Sequence, residues 1–313
     1  MKIIVFGSNG LVGSSLVRTL KSKNVFSIIP STRKDTNLFS LDSTKEFIKK
    51  NKPNLIINAA AKVGGIVANN KNRTEFIFEN MKINMNILES IIDYPEINII
   101  NLGSSCIYPL NSQNPINEES LMTGTLEPTN SPYAMAKLAA IEMGDAIHKQ
   151  YGNNVLNLMP TNLYGPNDNF EHESSHVIPG LISRMYKAKI SNSKHFDVWG
   201  TGKPLREFLY VDDLSDAIQF LINKNITNGL FNIGSGDEIT IFNLVYKIKE
   251  ILEFNGEIVF NPNKPDGNPR KLLNNNKINN LGWKSSTGLD EGLTKTYKWF
   301  LQNVIEQDAP KLV

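Results

Sequence analysis

The sequence predicts an α/β chain built on a doubly wound parallel sheet with a smaller C-terminal α/β lobe, and three observations carry that prediction. Short apolar strands alternate with helical patterns through roughly residue 160. The first strand runs into a glycine-punctuated turn and then a helix. After Pro160 the texture changes to YGPNDNFEHESSH, a Pro, Gly and Asn-rich stretch that reads as a loop opening a second lobe.

Lys2 to Phe6 reads as a short buried strand, and the helix after it has apolar positions at Leu11, Val12, Leu16 and Leu20. Between them Gly7, Gly10 and Gly13 form GxxGxxG, with Asn9 inside the turn. The first glycine permits a tight turn, the second lets backbone approach a pyrophosphate, and the third lets helix and strand pack closely. An ordinary βα turn is the bland alternative; the position between strand and helix favours a dinucleotide site.

Further strands are expected at 25–29, 54–58, 97–102 and 154–159, with helices near 74–93 and 131–151. The second strand ends in PSTRKD, where a chain selective for NAD would carry Asp or Glu for the ribose 2′-hydroxyl. Arg33 stands there instead, and a guanidinium suits a 2′-phosphate, so NADPH is the expected cofactor. Asp42, after LFSL, is expected to face the adenine. The strand-like GLFNIGSG (229–236) suggests that the chain returns to the first sheet, and the Asn-rich 274–280 reads as a polar loop or helix edge.

Tyr133 and Lys137 in SPYAMAK share one helix face at i, i+4, where an ammonium can lower the pKa of a phenol. About thirty residues upstream, Ser104 and Cys106 lie in LGSSCIYP. Four chemically distinct side chains in one short segment suggest a catalytic site with a phenolic proton donor, although a Tyr and Lys at this spacing also recur by chance.

Composition narrows the class. The formal charge of +2 in 35.0 kDa argues against nucleic acid as a bulk partner, and a single cysteine excludes an intrachain disulfide. MKIIVFG is too short an apolar run for a signal peptide or membrane span, so the cytoplasm is the expected compartment. The expected division is a dinucleotide-binding domain over 1–164, rejoined by the chain near 206–236, and a mainly substrate-binding domain over 165–313.

Stretches 58–70 (NAAAKVGGIVANN), 101–109, 124–137, 159–170, 174–184, 198–214 and 264–273 (KPDGNPRKLL) together resemble the GDP-L-fucose synthases, extended short-chain dehydrogenase/reductases, nearly end to end. The resemblance implies a Rossmann fold, NADPH, and epimerisation then reduction of a GDP-4-keto-6-deoxy-hexose. It implies a reductase triad of Ser104, Tyr133 and Lys137 and an epimerase acid/base pair of Cys106 and His176. It brings Ala60 to the cofactor, and Asn162, Val177, Arg184, Trp199, Arg206 and Arg270 to the GDP-sugar. One departure is Ser8-Asn9 where the family often has a basic residue, which puts more weight on Arg33. The family usually forms a homodimer, for which helices 74–93 and 131–151 are candidates through Ile87, Ile91 and Met143. Three other readings stay open: a C4-reductase alone, acting on a GDP-4-keto-heptose; a nucleotide-sugar 4-epimerase; and a non-catalytic NADP-sensing module. No metal site is expected.

Overall fold

The computed structural model describes residues 1–22, 25–171, 174–264 and 266–306. His172 and Glu173 of the expected loop, Pro265 of the stretch 264–273, and residues 307–313 of the expected second domain lie outside them.

The chain begins with β1 (Lys2–Phe6), α1 (Leu11–Ser22), β2 (Ser27–Ser31), α2 (Leu41–Asn51) and β3 (Leu55–Asn58). There follow α3 (Ile66–Lys71), α4 (Arg73–Glu89), β4 (Asn98–Leu102), α5 (Ser131–Tyr151) and β5 (Val155–Pro160). The second half contains β6 (Asn162–Tyr164), α6 (Val177–Ile190), β7 (His195–Trp199), β8 (Leu205–Tyr210) and α7 (Val211–Asn223). It ends with β9 (Gly229–Ile233), β10 (Glu238–Thr240), α8 (Ile241–Leu252), β11 (Glu257–Asn261), β12 (Arg270–Lys271), α9 (Asn276–Leu281) and α10 (Leu289–Phe300).

The main sheet is parallel, in the order β2-β1-β3-β4-β5-β9. Its inner strands are buried on both faces, as helices on both sides of a parallel sheet demand. The chain steps outward to β2 and then back across β1 to β3, so strand order reverses between β1 and β3. A doubly wound sheet opens its binding crevice at the carboxyl ends beside such a reversal.

The second strand lies two residues later than expected, at 27–31 and not 25–29. Pairing with β1 fixes it there, with Lys2 opposite Ser27, and Val25 is exposed. It is an edge strand, which is where Pro30, lacking an N–H, can be tolerated. The α4 helix stops at Glu89, where the Ser90 hydroxyl turns back onto the Asn86 carbonyl, short of the expected Asp93.

One core packs α1 and α7 against one face of the main sheet, and another packs α2 and α4 against the opposite face. Ile87 and Ile91 belong to this second core and are buried; Met143 packs against it. Ile87 and Ile91 therefore face their own sheet and present no surface to a partner, while Met143 is half-buried. The large exposed apolar residues of α4 and α5 are Phe78, Met85, Met135 and, at the end of α5, Tyr151.

A third core lies in the C-terminal lobe, between α6, α8, α10 and the small strands. There β10, β8 and β12 form a sheet with β6 paired to β8, and β7 pairs with β11. Thus β8 belongs to the second lobe, whereas α7 and β9 return to the first. The Asn-rich stretch forms α9, anchored by buried Ile278.

Candidate functional site

A single cleft of about 1870 Å³ runs across the carboxyl ends of the main sheet and under the C-terminal lobe. Gly7, Asn9, Gly10, Leu11 and Val12 line one end. Gly7 has φ +74°, and a Cβ there would lie 2.7 Å from the Ala60 nitrogen. A Cβ on Gly13 would fall 2.1 Å from the Gly7 carbonyl oxygen, so this glycine lets α1 press against the turn and does not itself line the cleft. The hydroxyls of Ser8 and Ser31 are buried with no partner among the described residues. A positive helix end, backbone at the cleft surface and unpaired hydroxyls fit a dinucleotide phosphate bridge.

Beyond β2, Arg33 lies exposed at the rim with Lys34 beside it, and both line the cleft. An acid does stand nearby, but Asp35 turns its carboxylate back onto Thr32, accepting from the backbone nitrogen at 2.8 Å and the hydroxyl at 2.7 Å. Those bonds hold its pKa below the ordinary value. Asp42 is exposed in the first turn of α2 and does not line the cleft; Asn37, Leu38 and Phe39 border that end instead. The Ser40 cap starts the helix just before Asp42 and carries it away.

The catalytic candidates meet in the middle. Ser104 caps the short 3-10 turn Ser105–Ile107, its hydroxyl accepting from the Cys106 nitrogen at 3.3 Å. Pro132 fits the first turn of α5, whose missing N–H costs nothing there, and the helix delivers Tyr133 and Lys137 to the cleft. Lys137 is buried; its Nζ donates to the Leu102 carbonyl at 2.7 Å and lies 5.8 Å from the Tyr133 ring centroid. Burial lowers the Lys137 pKa to about 8.

The Tyr133 phenol is not lowered as the spacing predicts. Burial, and secondarily the neighbouring Cys106, push its pKa well above the ordinary value, because a phenolate is poorly solvated there. The phenol therefore stays protonated, as a proton donor must. Burial also raises the Cys106 thiol.

His176 caps α6 with its backbone and presents its ring to the cleft. His176 is exposed along the cleft, and the protein mass around its ring lowers its pKa by desolvation against the opposing hydrogen bond to the Gly64 backbone. A clamp between lobes holds it in place. The Gly65 nitrogen donates to Ser174 O at 3.0 Å, and a Cβ on Gly65 would sit 2.5 Å from Ser175 O.

Ala60, Asn162, Val177, Arg184, Trp199 and Arg206 all line the cleft. Asn162 Nδ2 donates to Glu207 O at 2.8 Å, and Arg184 stacks 5.3 Å from the Phe196 ring centroid. Burial lowers the pKa of both Arg184 and Arg206, opposed at Arg206 by Asp266. Arg270 is the exception. It turns outward and pairs with Glu238 through Nε at 2.9 Å and Nη2 at 2.7 Å, and it does not line the cleft. Its neighbour Lys271 does, because adjacent strand residues face opposite ways. The alternation that distinguishes them could not be phased from a two-residue strand behind Asn268-Pro269.

Residues 3–234 match the NAD dependent epimerase/dehydratase family. The chain belongs to that family. Among its members, GDP-L-fucose synthase 1 of Arabidopsis thaliana is 45% identical over 303 residues, covering 97% of this chain and 94% of that protein. A GDP-L-fucose synthetase from Naegleria fowleri, solved bound to NADP, superposes with a TM-score of 0.87 at 30% identity, covering 96% of this chain and 94% of that one. A GDP-6-OMe-4-keto-L-xylo-heptose reductase from C. jejuni gives a TM-score of 0.89 at 29% identity, covering 96% and 97%. In this epimerase/dehydratase chain no helix among the described residues is long and apolar enough to cross a membrane.

Proposed function

We propose that the chain is an NADPH-dependent nucleotide-sugar oxidoreductase that inverts C3 and C5 of a GDP-4-keto-6-deoxy-hexose and then reduces its C4 ketone. The observation that carries this reading is one continuous cleft in which a protonated Tyr133 with Ser104 and Lys137 shares space with two further proton-handling groups, Cys106 and His176. A reductase alone needs only the first set. NADPH bound at the glycine turn supplies the hydride.

The ketone acidifies the protons on C3 and C5. Cys106 removes such a proton from one side, and His176 returns one from the other. Tyr133 then delivers its hydroxyl proton to the C4 oxygen while the Ser104 hydroxyl hydrogen-bonds that oxygen. Lys137, held by Leu102 O, orients this corner. Arg184 and Arg206 supply cationic donors for a diphosphate, and exposed Trp199 an aromatic face.

In this reading residues 1–164 with the returning α7 and β9 hold NADPH, and the rest of 165–313 holds the GDP-sugar. The enzyme works in the cytoplasm as a homodimer through Phe78, Met85 and Met135 on α4 and α5. A dimeric mass by light scattering, lost on Phe78→Asp, tests that surface.

The proposed chemistry is tested in deuterated water without NADPH. Wild type is expected to exchange the C3 and C5 protons of the keto sugar. Cys106→Ser and His176→Asn should stop that exchange while still reducing a sugar that is already epimerised. The similarity to the heptose reductase favours a second reading, C4 reduction alone of a GDP-4-keto-heptose. Wild type that exchanges neither proton yet reduces such a sugar would establish it.

A further inference from the structure

Two connections run side by side along the C-terminal wall of the cleft. Strand β7 pairs with β11 and β8 with β12, both in parallel, so the turn from β7 to β8 travels beside the chain that joins β11 to β12. The first connection has Trp199 and Arg206 at its two ends, and the second brings Asp266, Gly267 and Asn268 to the same cleft. The two strand pairs belong to different sheets, so ladder bonds hold each pair together but not one pair to the other.

Asp266 joins the connections between those ends. Its Oδ1 accepts from the Thr201 nitrogen at 2.6 Å and its Oδ2 from the Thr201 hydroxyl at 2.7 Å. Two oxygens gripping one residue fix its orientation as well as its distance. The glycines on either side of Thr201 make room for the grip. Gly200 has φ +83°, and a Cβ there would lie 2.2 Å from Asp266 Oδ1, while Gly202 has φ +77°. Asp266 is itself exposed, so the two bonds add little to the packing of the lobe.

Both flanks of the grip meet groups that face the cleft. Lys264, two residues before Asp266, sets its Nζ 5.3 Å from the Trp199 ring centroid and does not line the cleft, so it backs the ring. On the other flank Gly267 has φ +75°, and a Cβ there would sit 3.4 Å from Arg206 Nη2 and 3.7 Å from Ile66 Cδ1. The backbone beside Asp266 thus passes against the Arg206 guanidinium and reaches α3 of the first lobe. The charge of Asp266 also supports the ionised form of Arg206 against burial.

We propose that Asp266 is a positioning residue for the nucleotide half of the substrate: by gripping Thr201 it holds the two connections at the spacing that presents Trp199 and Arg206 to a guanosine diphosphate. This rests on the reading of Trp199 and Arg206 as GDP groups. The effect falls on binding and not on chemistry, because Tyr133 and Lys137 stand on α5 in the other lobe.

The probe is GDP, titrated by calorimetry into the full-length protein with NADPH bound, for wild type, Asp266→Ala, Thr201→Val, the double variant and Arg206→Gln. Asp266→Ala should weaken GDP binding by roughly five- to twentyfold, and Thr201→Val, which spares the backbone donor, by roughly threefold. The double variant should bind GDP no worse than Asp266→Ala, because both substitutions break one contact. In Asp266→Ala the KM for the keto sugar should rise while kcat and NADPH affinity stay at their wild-type values, a split that general loss of structure would not produce. Unchanged GDP affinity in folded Asp266→Ala overturns the proposal, as does a fall in kcat with KM unchanged. If that variant does not fold, Thr201→Val that binds GDP as wild type does overturns it equally. Arg206→Gln separates this proposal from the reading beneath it. Intact GDP binding in Arg206→Gln would remove the GDP assignment and this proposal with it, whereas a weakened Arg206→Gln beside an unaffected Asp266→Ala would remove the positioning role alone.

Discussion

On the sheet side of the cleft, the groups that meet a ligand are backbone or lie close to it: the Gly7–Gly10 turn, the first turn of α1, and a lysine tied to the Leu102 carbonyl. On the opposite side they are the tips of long side chains, Arg184, Arg206 and Lys271, carried on α6 and short strands. The first arrangement fixes its ligand through chain geometry and tolerates little change. The second sets charge and reach, and can be retuned one side chain at a time.

The comparison breaks most visibly at Tyr133, where rigid placement is coupled to chemistry. Tyr133→Phe keeps the ring against Phe76 but removes the proton donor. Steady-state reduction should fall by roughly two to four orders of magnitude with NADPH affinity nearly unchanged. Near-wild-type turnover would show that another group supplies the proton.

A smaller effect is expected at Arg33, the one long side chain asked to choose the cofactor. Arg33→Ala should weaken NADPH by roughly ten- to a hundredfold and NADH far less, since only NADPH presents a 2′-phosphate. Equal losses in fluorescence titrations with the two cofactors would transfer that task to Lys34 or to the turn itself.

The smallest effect concerns stability. Burial depresses the folded-state pKa of Lys137 to about 8 from 10.5, so the unfolded chain binds more protons between those values and stability rises with pH across that window. Below it the folded protein bears the full cost of an enclosed ammonium. Lys137→Met should therefore stabilise the ligand-free protein by about 1–2 kcal/mol near pH 7, with the gain shrinking towards about pH 10. Urea denaturation at the two pH values measures this, and a variant less stable at both would show that the bond to Leu102 O outweighs desolvation.

The same contrast explains what could be read before folding. Gly7 and Gly13 announce themselves because a sharp βα turn restricts residue type through local sterics. Tyr133 and Lys137 are legible because one helix fixes their spacing. Arg270 misleads, and Lys271 is missed, because a two-residue strand carries too little periodicity to show which face is inward. The direction of the Tyr133 shift also escapes, since spacing reveals a nearby cation but not the loss of water around the ring. Ile87 and Ile91 look equally suited to a partner or to their own sheet, and only burial decides.

The return of β9 to the outer position beside β5 has a practical consequence for building hybrids. A cassette covering 165–313 would carry away an outer strand of the main sheet together with α7, which packs on α1 through Ser15 and Ser215 at 2.7 Å. Exchanging sugar preference between relatives by transplanting the C-terminal half would thus unravel the half left behind. Grafts confined to 177–206 and 264–273 leave both seams intact.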